Sequence, residues 1–510
     1  MASQYSADVS VRTAVLLLAP LALFAAGCSD SSEDKSSSQQ LFESSVALPE
    51  AAPASFINQD DLPQEEYTDL LRAIAKERVI AAVLQRKGET GEATEATGEF
   101  DYQSAATRLR AINRSLAELS EGGPETYALV HTILGDGRLK SWLIAPGERI
   151  ASGISSKPYD GTGFLTDGLG VTALASARAP RAEGVPAISA AESEAMLARD
   201  QSKEAVAKRF ASLAEARDQL LPGAVQDALG THSGRLLIVG TRDTATAPYA
   251  AMFLRNGRAL LNWSFVSVPD IDTISSVAGR FDYHDIDLSN AVIVGDPDLS
   301  GDPQYDWEPL PGARAEAVEV ARLLGAHPSR VLIGVEATTP SLRRAINRTE
   351  DIGLVYMATH AVADPKNPLT RGFAAMTGGH YYAGHIRQER FPGWEDSEPL
   401  VVMSACQTAL GRVFDGGGFG VAQSWTVAGA GQVVASLWNV SDDATKLQMS
   451  RFMHHLKNGD APEIALQKAQ IETMNYTDEQ GRKPYLNNPK MWASFSIYGK
   501  PSSWTAIDWN

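Results

Sequence analysis

Two side chains capable of nucleophilic chemistry stand at equivalent places in this sequence, each just past a short apolar run. Leu354-Val355-Tyr356-Met357 leads into Ala358-Thr359-His360-Ala361, and Leu400-Val401-Val402-Met403 leads into Ser404-Ala405-Cys406-Gln407. Short apolar runs bounded by small and polar residues read as strands buried on both faces. If these two strands are parallel neighbours, an imidazole and a thiol emerge together at one rim. A thiol of ordinary pKa, ~8.5, is only partly ionised at neutral pH, and an adjacent imidazole accepts its proton or stabilises the thiolate. Attack on a carbonyl also needs donors for the developing oxyanion, which the backbone N–H groups of Ala361 and Cys406 are placed to supply. Taken singly, a strand-end histidine is more often a surface hydrogen-bonding residue, and a lone cysteine is usually buried and inert. The reading rests on the pair.

The elements around the pair belong to an α/β protein. From Leu236 onward short apolar runs alternate with helical segments, the pattern of βαβ units and a mostly parallel sheet flanked by helices. The runs begin at Leu236, Ala291, Val331, Leu354, Leu400, Val433 and Trp492, with helices such as Ala313 to Leu324 and Thr339 to Asn347 between them. After Val440 a helix is expected with Ser441 as N-cap, Asp442 and Asp443 in its first turn, and a Met449, Phe452, Met453, Leu456 stripe. Gly459 stops it. Ligands of such sheets bind beyond the carboxyl ends of the strands, which is where His360 and Cys406 fall.

Upstream of this core, Thr126 to Ala145 reads as a hairpin around Gly135-Asp136-Gly137. Ala151 to Gly170 reads as a surface loop, with a lid as the alternative, and about Ala190 to Leu221 as a long helix. An N-terminal helical segment from Leu62 to Leu119 is split by the low-complexity Gly88 to Glu95, and Tyr67, Leu70, Leu71 and Ile74 mark its buried face. The chain divides into a leader at 1–28, a tether at 29–58, a helical segment at 59–122, a main domain at 123–502 with its core at 236–502, and a tail at 503–510.

Only two cysteines occur, Cys28 and Cys406, so there is no disulfide framework. Val11 to Ala26 is a positively started apolar run of signal-peptide length. Ala25-Ala26-Gly27-Cys28 followed by a polar stretch resembles the lipobox of bacterial lipoproteins. That resemblance implies a lipidated Cys28, residence at a bacterial cell envelope and contact with the membrane through the N-terminal lipid; an uncleaved anchor and a wrongly chosen start codon are the alternatives.

From about Leu236 to Pro501 the ordered motifs resemble a CHAT domain, a caspase-like module related to caspases and separases. They are Leu310-Pro311-Gly312-Ala313-Arg314-Ala315-Glu316-Ala317, Gly334 to Thr338, Met357 to His360, Met403 to Gly411, Gly416-Gly417-Gly418, Val434 to Asp442 and Asn488 to Phe495. The resemblance implies a caspase-like fold and a cysteine endopeptidase acting on protein or peptide substrates without a cofactor. His360 would be the base or ion-pair partner and Cys406 the nucleophile, their separation being close to the roughly 50 residues found in caspases. Trp438 and Asn439 would line the substrate groove, and Asp442 would select a basic side chain, although an acidic residue at a helix start also serves the macrodipole. The caspase Gln-Ala-Cys signature is not reproduced, because Ser404 replaces the Gln. The family usually carries Gly directly after the histidine, where this chain has Ala361. If that position needs a positive φ, alanine costs on the order of 1 kcal/mol. A CHAT-like binding or scaffold module without hydrolysis is the competing reading.

Other chemistries fit poorly. A net charge of −17 and a pI near 5.1 argue against a nucleic-acid partner. Gly416 to Gly420 lacks the Gly-Lys-Ser/Thr ending of a phosphate loop and reads as a mobile loop beside the cysteine. His380 with His385, and His454 with His455, lack the spacing and companions of a metal site.

Overall fold

The computed structural model describes residues 56–86, 101–159, 161, 169, 201–254, 257–275, 279–307, 309–364, 367–405, 411–414, 417–438 and 440–504. The leader, the lipobox with Cys28 and nearly all of the tether lie outside the described residues.

Apolar residues buried on both faces build one 12-stranded sheet. Its N-terminal half contains β1 (Ile57–Asn58), β2 (Thr126–Ile133), β3 (Arg138–Ala145), β4 (Arg149–Pro158) and β5 (Gly234–Val239). The short β6 (Phe253–Leu254) and β7 (Gly257–Arg258) pair only with each other, before β8 (Trp263–Val268) rejoins the sheet. The second half contributes β9 (Ala291–Pro297), β10 (Val331–Gly334) and β11 (Leu354–Ala358). It continues, after β12 (Ala361–Val362), β13 (Phe373–Met376) and β14 (Gly379–Tyr382) form a small sheet of their own, with β15 (Leu400–Ser404). The hairpin of β16 (Gly411–Phe414) and β17 (Gly417–Gly420) follows, and β18 (Gln432–Ser436) and β19 (Phe495–Gly499) complete the sheet. The order across it is β1-β4-β3-β2-β5-β8-β19-β18-β15-β11-β9-β10. Seven of its pairings are parallel, including β9–β11–β15–β18, so the α/β class and the mostly parallel sheet are as expected.

Alternation along the central strands sorts side chains into two cores. Val355, Met357, Val401 and Met403 face one, and Leu354, Tyr356, Leu400 and Val402 the other. Helices Pro311–Leu324 and Asp442–Lys457 cover the second face with Ala313, Ala317, Val320, Met449, Phe452 and Met453. The N-terminal helices Gln64–Arg86 and Tyr102–Leu119 add Leu70, Leu71, Ile74, Leu109 and Ile112 to the same core. Arg235 on β5 and Glu463 on helix Pro462–Met474 tie the half-sheets together as a wholly buried ion pair of 2.7 Å. A guanidinium donor to Ser502 O and two to Thr126 Oγ1 complete the solvation that such a pair needs.

Three segments differ from expectation. Residues 149–158 are a strand, β4, antiparallel to β3, rather than a loop. Gly147 at φ 78° and Glu148 at φ 59° make the tight turn into it. Gly417 and Gly418 belong to a hairpin that pairs Phe414 with Gly417 and Val413 with Gly418, rather than to an irregular loop. The closing strand starts at Phe495, because Pro489–Met491 forms a short 3-10 turn first. No helix among the described residues is long and apolar enough to cross a membrane.

His131 on β2 is fully buried, its ring nitrogens 2.9 Å from Ser141 Oγ and 3.2 Å from Tyr249 Oη. Burial pushes its pKa down to about 3. The unfolded chain, with histidine near ~6.5, takes up a proton that the folded chain refuses. Stability therefore falls as pH drops from about 6.5 toward 3, by at most about 1.4 kcal/mol per pH unit from this group. Urea unfolding at pH 7.5 and 5.5 checks this: His131→Gln should lose less stability between the two than wild type does.

Candidate active site

The site is built where the central strands end. β11 and β15 pair in parallel with Ala358 opposite Ser404, so the chains leave the sheet level with one another. Thr359 N–H donates to Ser404 O at 3.4 Å, and Thr359 Oγ1 donates to Ala375 O at 2.8 Å. On the other side Ser436 Oγ, from β18, donates to Ala405 O at 2.5 Å. Thr359 is thus tied down on both flanks and Ala405 on the β18 side, with His360 one residue beyond the first. Cys406 follows the second and lies outside the described residues, as does Asn439.

His360 is 2% exposed. Its carbonyl accepts the N–H of Ala375 on β13 at 2.9 Å, and the indole ring of Trp307 lies against its imidazole, 4.7 Å between centroids and tilted by 41°. A groove of about 460 Å³ opens beside it, lined among others by Asp296, Asp298, Trp307, Arg314 and Val335. Asp296, the penultimate residue of β9, has φ 44°, a left-handed conformation that Asp adopts more readily than most residues, and its carboxylate sits 3.4 Å from Arg314 Nη1. Asp298 accepts from the backbone and hydroxyl of Ser300, which holds its carboxyl below the usual carboxylate range.

Ala361 opens β12 opposite Ala374 and does not have a positive φ. The conditional cost of alanine after the histidine therefore does not arise. The hydrogen-bonded pair is 360 with 375, so 361 and 374 form the alternate pair and the Ala361 N–H is directed away from β13.

Trp438 is in the core, 6% exposed, with its indole N–H donating to Lys490 O at 3.1 Å, which leaves little of the ring to meet a substrate. Asp442 serves packing, for its Oδ2 accepts the N–H of Gly312 at 2.8 Å and so caps helix Pro311–Leu324, whose own preceding residue, Leu310, provides no side-chain cap. A Cβ on Gly312 would lie 2.0 Å from that oxygen, which accounts for the glycine of the Leu-Pro-Gly segment. No cluster of three or more potential metal ligands occurs among the described residues.

Sequence reasoning did not find Trp307, Asp302 or the site role of His380. The one signal was local: Tyr305 and Trp307 interleaved with Asp302 and Asp306 directly before Leu310-Pro311-Gly312.

A CHAT domain family model matches residues 211–500, more than half of the chain, and the protein belongs to that family. Tetratricopeptide repeat protein 28 of Mus musculus is 27% identical over 243 residues, and its Homo sapiens counterpart 26% over 245. Each match takes in 41% of this chain and 9% of the relative, so the chain corresponds to a small part of those proteins. Among solved structures, the Arg-specific cysteine proteinase gingipain R aligns at a TM-score of 0.34 with 14% identity, over 56% of this chain and 68% of that one. The Saccharomyces cerevisiae separase–securin complex aligns at 0.48 with 12% identity, over 79% and 31%.

Losing the Asp442 cap should cost about 1 kcal/mol. Urea unfolding is expected to show Asp442→Ala destabilised by that order and Asp442→Asn by less. Gly312→Ala should be destabilised even though alanine is the better helix former.

Proposed function

We propose that this chain is a cysteine endopeptidase in which His360 activates Cys406, held at a bacterial membrane by a lipid on Cys28 and acting on protein or peptide substrates. One observation carries the reading: the in-register parallel pairing of β11 with β15, with Thr359 N–H bonded to Ser404 O. Consecutive Cα atoms are about 3.8 Å apart, so two chains leaving adjacent strands level with one another keep their next residues close. In that arrangement the imidazole takes the thiol proton, the thiolate attacks the scissile carbonyl, and the protonated imidazole returns its proton to the leaving amine. The N–H of Ala361, directed away from β13, and that of Cys406 are the donors proposed for the oxyanion. The groove beside His360 supports an extended peptide as the occupant. The exposed Val335 that lines it offers an apolar contact, and Asp298 and the Asp296–Arg314 pair offer polar ones.

A thiol-directed peptide electrophile should label wild type at Cys406 and should label His360→Ala more slowly, on the order of 10²- to 10⁴-fold. Equal labelling of both, together with identical neo-termini in cells carrying wild type or Cys406→Ala, would leave only the binding-module reading. For the anchor, Cys28→Ala is expected to move the protein from the detergent phase to the aqueous phase. A wild-type protein already found in the aqueous phase would remove the lipid from the account.

A further inference from the structure

The loop between β9 and helix Pro311–Leu324 carries Trp307 onto His360, and a loop side chain stays in place only if something holds it. The indole Nε1–H donates to Asp302 Oδ2 at 2.5 Å. The same oxygen lies 3.2 Å from His380 Nε2 on β14, and both of these side chains are 7% exposed. His380 in turn stacks face to face on Phe373 of β13, 3.9 Å between centroids and 9° between planes, while Tyr305 packs against both Trp307 and His380. With Nε2–H donating to the carboxylate, the neutral tautomer of His380 satisfies Asp302. Burial lowers the pKa of this histidine, with the negative charge of Asp302 opposing the shift.

The connections close on themselves. β13 holds the His360 backbone through the Ala375 N–H, and β13 with β14 holds the His360 ring through Phe373, His380, Asp302 and Trp307. We propose that Trp307 is a positioning residue that fixes the orientation of the His360 imidazole, and that Asp302 and His380 form the latch that keeps Trp307 there. A ring packed against an immobilised indole loses rotational freedom about χ1 and χ2, and a working imidazole must keep its orientation to within about 10–20°. The structural assignment stands on the geometry alone; its consequence for catalysis rests on the peptidase reading above.

The test reads His360 directly. In ¹³C-histidine NMR of the full chain, the His360 ring signal is the one missing from His360→Gln, and the nearby indole displaces it by ring current. Trp307→Leu and Asp302→Ala should move that signal in the same direction, while Trp307→Phe should bring it back toward the wild-type position. Replacing Trp307 with 3-benzothienylalanine, which exchanges the N–H for sulfur at nearly constant shape, separates loss of the latch from loss of folding and should reproduce the Asp302→Ala shift. In turnover, Trp307→Leu should lower kcat on the order of ten- to a hundred-fold with KM little changed, and Trp307→Phe should recover most of it. A His360 signal unmoved by Asp302→Ala and by the sulfur analogue, with only the melting temperature lowered, would overturn the latch. The expected shifts in a protein that neither turns over nor labels at Cys406 would uphold the positioning role and remove the peptidase reading instead.

Discussion

The site depends on the parallel register at the centre of the sheet. β11 and β15 are held between β9 and β18, with every side chain from Leu354 to Ala358 and from Leu400 to Ser404 buried. A one-residue slip of either strand would exchange the two cores, sending Tyr356 or Val402 to the wrong face. That penalty fixes how far along the sheet each chain emerges. Because the two chains leave together, a histidine two residues past one strand and a cysteine two residues past the other start from the same line. The places where the two chains leave the sheet are thus set by packing of apolar residues.

Around that line the molecule separates support from reactivity. The Leu310-Pro311-Gly312 segment is explained by packing: Leu310 is buried, Pro311 starts the helix, and Gly312 admits the Asp442 carboxylate. The cap joins the first turns of two helices on one face of the sheet, and the macrodipoles of both favour the same negative charge. Directly upstream the chain lays Trp307 against His360. The small sheet β12–β14 contributes no strand to the large one, yet through Ala375 and His380 it meets both the backbone and the ring environment of the histidine.

Much of this is legible from sequence for a physical reason. β9, β11, β15 and β18 are central, so both faces are apolar and the runs stand out; helix Asp442–Lys457 announces itself by its acidic first turn and its Met449, Phe452, Met453 stripe. β8 escapes a reading by pattern because Ser264 and Ser267 interrupt its apolar residues, although both are buried. β4 escapes it because Ser152, Gly153, Ser155 and Ser156 resemble a loop until β3 supplies the pairing. Within the site, residue types and spacing single out His360, and Cys406 by analogy with it. Nothing in the spacing of Asp302, Trp307, Phe373 and His380 does the same, since their association is tertiary. Asp442 is visible as a helix-start charge, but its partner Gly312 lies 130 residues away.

The most direct measurement asks whether the two chain ends meet. A disulfide forms only when the Cα atoms lie about 4.4–6.8 Å apart. His360→Cys places a second thiol at the position of the imidazole, and mild oxidation followed by peptide mapping reads the connection. The account predicts a near-quantitative 360–406 disulfide within one chain. If residues 360 and 406 stay reduced, or if Cys406 is recovered only in links between chains, the two positions do not face each other and the proposed dyad does not exist.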